Sequence, residues 1–142
     1  MKNSKDLLSS VLKTTQMGQI GIRGCLKASI SEPLRNVLNS QLQEYDAIES
    51  EAHALASRRG WELPELDPAV RFMTDAMIRM KLRGTRNSSK IADMMIKGNT
   101  KGVVKGIRNL HQLGEPDEKL RTLCQKLLDC EKTNIRQMEG FL

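Results

Sequence analysis

Glu131 is the carboxylate with the most unusual setting in the sequence: it falls on the apolar stripe of a helical pattern, between Leu127 and Ile135. A charged group in such a place must be paired, hydrogen-bonded or neutral. Glu44 flanks a second stripe, beside Gln41 and Tyr45. Two such carboxyls can hold a cation between helices. Fully hydrogen-bonded, they serve instead as a buried polar network that sets helix register.

The other chemistry-bearing residues are sparse. His53 follows Glu49 by four positions and His111 ends a helical pattern, and neither belongs to a His-x-x-His or His-Glu-x-x-His context. Such histidines are read as surface or cap residues. Cys25, Cys124 and Cys130 form an odd set without a Cys-x-x-Cys pair, which argues against a disulfide framework and for a reducing, cytoplasmic setting. There is no Walker loop, dinucleotide fingerprint or Ser-His-Asp set.

Two surface patterns remain. Gly98, Gly102 and Gly106 recur every four residues. Each interior glycine costs a helix about 1 kcal/mol relative to alanine, so the stripe is expected to admit a neighbouring helix closely, within the fold or across a dimer. Lys97, Lys101, Lys105 and Arg108 form a basic stripe on the same helix, within a segment (residues 79–108) of nine basic residues and one acid. The stripe has the spacing to track phosphates, but no stacking aromatic is interleaved, which favours a solvated face over a nucleic-acid interface.

The elements that must carry these residues are helices. The chain has 142 residues, 39% of them apolar and 28% charged, and a net charge of +6. That is enough for one domain, residues 1–142, with a real core. Aromatics make up only 3% against eight methionines, so Met, Leu and Ile are expected to fill the interior. Periodicity predicts helices over about 5–28, 32–59, 67–82, 88–113 and 118–142. Ser31, Asp67 and Asn87 or Ser88 stand as N-caps, Pro33 and Pro68 at first turns, and Gly60 as a stop. No stretch alternates as a strand does, and none is apolar enough for a leader or a membrane span.

The two halves repeat weakly. Gln16-Met17-Gly18 matches Thr100-Lys101-Gly102, each helix is followed by Glu-Pro (Glu32-Pro33, Glu115-Pro116), and Glu44 with Ile48 matches Glu131 with Ile135. Two helical hairpins joined by a long crossover resemble the ferritin-like superfamily. Met94 to Gly102 and Glu131 to Ile135 are similar to small bacterial ferritin-like proteins of unassigned function. The resemblance implies an all-α antiparallel four-helix bundle with an additional short helix in the crossover.

Di-iron members of that superfamily use a lone Glu on the first and third core helices and Glu-x-x-His on the second and fourth. Carried onto this chain, those positions become Gln16, Glu44 with Ala47, Thr100, and Glu131 with Asn134. Two carboxylates and no imidazole survive, a poor donor set for iron. The expectation is therefore a non-catalytic bundle with no cofactor and a degenerate polar site at Gln16, Gln41, Glu44, Thr100, Glu131 and Asn134. It would act by association as a homodimer or small homo-oligomer, away from membranes. The rival readings are a reduced metal site at Glu44 and Glu131, and polyanion binding through the basic stripe.

Overall fold

The computed structural model describes residues 2–84 and 87–142. Met1, Thr85 and Arg86, the last counted within the basic segment, lie outside the described residues. Five helices follow in order: α1 (Ser4–Leu26), α2 (Glu32–Arg58), α3 (Pro68–Leu82), α4 (Ser88–Gln112) and α5 (Glu118–Glu139). No strand occurs among the described residues, only an isolated bridge between Lys2 and Leu113.

Each helix starts on a side chain that satisfies a free backbone N–H. Asn3, Ser31, Asp67, Asn87 and Asp117 all accept such a bond, and Pro33 and Pro68 occupy first turns. Gly60, at φ 67°, ends α2 in the left-handed region that favours glycine. The short α1–α2 and α4–α5 connections make two hairpins. The hairpins meet along α2 and α5 and along α1 with α4 and α5, and α3 lies on α1.

Side chains from all five helices form one core, including Leu8, Leu12, Leu34, Tyr45, Ile78, Ile91 and Leu120. Methionine contributes less to it than composition suggests. Met95 and Met138 are buried, whereas Met17, Met73, Met77 and Met80 are exposed. The reason lies in α3, which buries only Ile78 and Leu82 and turns Val70, Met73, Met77 and Met80 to solvent. Ile78 seats against α1 at Gly24, where a Cβ would come within 2.6 Å of its Cγ2.

The crossover is fastened by polar groups. Ser9 Oγ donates to Pro64 O at 3.0 Å, and Leu66 N donates to Gln16 Oε1 at 3.0 Å. Where the crossover leaves α2, Arg59 donates to both oxygens of Asp117 at 2.6 and 2.9 Å while lying 5.1 Å over the Trp61 ring. That hydrogen bonding holds the Asp117 carboxyl well below the usual carboxylate range. Asp117 also caps α5 by accepting from Leu120 N. Asp117→Ala removes the cap and strands Arg59 together, with an expected cost of about 2–3 kcal/mol. Asp117→Asn keeps a capping oxygen and should cost clearly less; equal losses in urea melts would show that the cap contributes nothing.

Candidate functional site

Three elements bring one polar cluster to the middle of the bundle. Tyr45 of α2, Asn99 of α4, and Glu131 and Asn134 of α5 are all buried, with Glu131 only 2% exposed. Tyr45 Oη lies 2.8 Å from Glu131 Oε1, 3.3 Å from Asn99 Oδ1 and 3.3 Å from Asn134 Nδ2. Asn99 Nδ2 and Asn134 Oδ1 are buried without partners.

The proton count decides how this cluster works. Tyr45 has one hydroxyl proton and faces two acceptor oxygens. If Glu131 is ionised, that proton goes to the carboxylate, and Asn99 meets Tyr45 Oη with a hydrogen bond only by turning its amide to offer Nδ2. If Glu131 is neutral, its own O–H donates to Tyr45 Oη, Tyr45 donates to Asn99, and Asn134 donates to Tyr45. All three contacts are then hydrogen bonds. Burial favours the neutral carboxyl, pushing Glu131 up from 4.5 to about 7 against the opposing hydrogen bond from Tyr45, and it raises the Tyr45 phenol as well.

Two glycines make the room. A Cβ at Gly18 would come within 2.5 Å of Tyr45 Cζ, and one at Gly102 within 2.8 Å of Glu131 Cδ. Gly18 thus stands to Tyr45 as Gly102 stands to Glu131, so the internal repeat places Tyr45, rather than Glu44, opposite Glu131. Gly106 adds a looser seat, 3.4 Å from Leu128 Cδ1.

Several expected members lie elsewhere. Glu44 is exposed, and its Oε2 accepts from Cys130 Sγ at 3.4 Å at the cluster's edge. Gln16 is buried, but its amide donates to Glu49 and Glu65, where it serves the crossover. Gln41 donates to Gln137 at 2.9 Å. Thr100 is exposed and donates back to Ile96 O, because Asn99 takes the inward position one residue earlier.

Gly98 is exposed with nothing within 4 Å of its Cβ position. Gly98 lies one residue, about 100°, before the inward Asn99, which puts it at the rim of the packed face. The inward stripe of α4 is Ile91, Met95, Asn99, Gly102, Gly106 and Asn109. Tyr45 and Asn99 were the members that motif reasoning missed, and the stripe spacing carried the signal for Asn99. The occupant of the glycine face is α5 of the same chain, so that face is not free for a dimer.

The donor set does not suit a di-metal centre. One carboxyl, held toward its neutral form, meets a phenol and two amides with no imidazole, and hard cations bind anionic oxygens. Among the described residues no three His, Cys, Asp or Glu side chains gather as ligands. His53 Nε2 meets Glu65 at 3.4 Å, and His111 is exposed. Cys25, Cys124 and Cys130 are buried free thiols, and burial pushes Cys25 up to about 12 and Cys124 to about 11.

No family model matches this chain, and no curated protein matches its sequence. A solved structure described as a DUF305 fragment from Deinococcus radiodurans is similar in fold, with a TM-score of 0.77 over 96% of this chain and 93% of that one. The two are 14% identical, so the likeness concerns the fold alone. No described helix is long and apolar enough to cross a membrane.

Glu131 links stability to pH. Folded, it keeps its proton up to about pH 7; unfolded, it releases it near 4.5. The unfolded state binds fewer protons across that window, so stability falls as pH rises through it, by up to about 3 kcal/mol. Glu131→Gln should remove this component, and parallel stability–pH curves for the two proteins would refute it. Gly102→Ala places a methyl against the buried carboxyl. It should destabilise by about 1–3 kcal/mol despite better helix propensity, and a gain in Tm would contradict the close contact.

Proposed function

We propose that this chain is a non-catalytic bundle of the ferritin-like kind that acts by association, pairing with a second copy through α3. The finer fold reading rests on the two hairpins, the crossover carrying α3 and the paired glycine seats. A non-catalytic role is supported by the polar cluster, whose only carboxyl is buried and favours its proton.

One observation carries the association. The side of α3 that points away from α1 is apolar along its length: Met73 is 69% exposed, Met77 50% and Met80 76%, with Val70 beside them, while Phe72 borders this face on the flank toward α1. A contiguous exposed face of this sort marks an interaction surface, and methionine adapts to the partner it meets. The helix has an acidic N-cap, Asp67, followed by Arg71, and gathers Arg79, Lys81 and Arg83 at its end. Arg79 also pairs with Asp75 one turn earlier. An antiparallel crossing centred on Ala76 and Met77 sets Met73 of one copy against Met80 of the other. It also brings the Asp67 cap of each helix toward the basic end of its partner, a self-complementary two-fold arrangement. Because the helix has only 15 residues, the interface is small and the expected affinity micromolar rather than nanomolar.

Sedimentation over a wide concentration range tests this. A concentration-dependent dimer is expected, abolished by Met73→Glu or Met80→Glu with little change in Tm because both side chains already face solvent. A monomer at every concentration would overturn the proposal.

A further inference from the structure

The basic stripe of α4 does not act as a unit. Lys97 pairs with Asp93 at 2.9 Å, and Lys101 and Arg108 are exposed. Lys105 is different, because it faces the start of α1. There, Lys2, Lys5, Lys13 and Lys105 surround a cleft of about 500 Å³ whose walls also carry Asp6, Ser9, Ser10 and Glu62. The size is within the usual range for a small-molecule site.

The cleft is built on fixed backbone. Lys2 N donates to Gln112 O at 3.0 Å, and Ser4 donates from both its backbone N and its Oγ to Glu115 Oε1. On the floor, buried Asn109 donates to Ser10 Oγ at 3.0 Å. Ser10 is itself only 7% exposed, and its hydroxyl proton finds no acceptor among the described residues. Among the described residues, none of the four lysines takes part in an ion pair.

We propose that this lysine cleft binds a small phosphorylated compound, through ammonium groups from both α1 and α4. Four ammonium groups share this space with only two carboxylates, Asp6 and Glu62, and an anion balances the excess positive charge. The Lys105 ammonium already registers the crowding: burial first, and then Lys2 and Lys13, push its pKa down. Lysine serves phosphate as a compact point charge with several donors, and the free Ser10 proton supplies a neutral donor. Asp6 and Glu62 oppose a long polyanion lying across the cleft, which favours a compact ligand over nucleic acid. No aromatic side chain lines the cleft to stack a base.

Isothermal titration with inorganic pyrophosphate at fixed ionic strength tests the proposal on the intact chain. Saturable binding with a Kd below about 1 mM is expected. The double variant Lys13→Gln/Lys105→Gln should weaken it at least about tenfold, while Lys97→Gln/Lys101→Gln on the same helix leaves it unchanged. A second reading does not depend on the ligand's identity. Without anion, the cleft variant should melt at a higher temperature than the native chain, because it relieves repulsion; pyrophosphate should raise Tm for the native chain only. Absence of saturation, or equal weakening by both double variants, would overturn the assignment. Tighter binding of a generic DNA duplex, lost with Lys97 and Lys101, would overturn it in favour of the stripe.

Discussion

The hydrogen bond between Glu131 and Tyr45 sits where the two hairpins meet, and much of the interior is arranged around it. A phenol and a carboxyl cannot both enter a helix bundle unless something gives way, and here two glycines do. Gly18 leaves space for the ring and Gly102 for the carboxyl. Each interior glycine weakens its own helix by about 1 kcal/mol, so the pair persists because a larger residue would collide with a group that is already hydrogen-bonded. Asn99 and Asn134 complete the cluster by flanking the phenol. The result is a polar centre that specifies how α2, α4 and α5 register against one another.

The same constraint separates this bundle from redox chemistry in its core. Holding iron requires several ionised carboxylates and imidazoles turned inward. Here desolvation holds the central carboxyl toward its neutral form, and the second candidate, Glu44, is exposed beside Cys130. What remains is a proton that can be lost near neutral pH, at a cost in stability, in a buried place. The unpartnered amide atoms of Asn99 and Asn134 are part of that cost. Turning over the Asn99 amide would let Nδ2 donate to Tyr45 once Glu131 ionises.

With the centre closed, the chemistry open to partners lies on the surface, and it is divided between two places. α3 turns an apolar face outward because only Ile78 and Leu82 are needed to seat it on α1. The start of α1 and the second half of α4 gather lysines because the Lys2–Gln112 and Ser4–Glu115 contacts hold the two segments together. One surface is suited to burying area against another copy, and the other to neutralising charge.

The sequence by itself determined the helices, their caps and their order. These depend on local rules: capping side chains at Ser31 and Asp67, proline in first turns, glycine at a left-handed stop, and apolar period. It also singled out Glu131, because a carboxyl on an apolar stripe is visible without coordinates. Which residues share its environment was decided only by the tertiary structure. A single step along a helix turns a side chain by about 100°, so Asn99 enters the cluster while Thr100 faces solvent. Likewise Tyr45 enters it while Glu44 stays outside. Helical period also cannot tell a face that packs from one left bare. For that reason the methionines of α3 read as core, although the docking of a single helix through Gly24 leaves them outside. The lysine cleft follows the same rule: Lys2 and Lys105 are remote in sequence, and only the packing of α1 beside α4 brings them to one space.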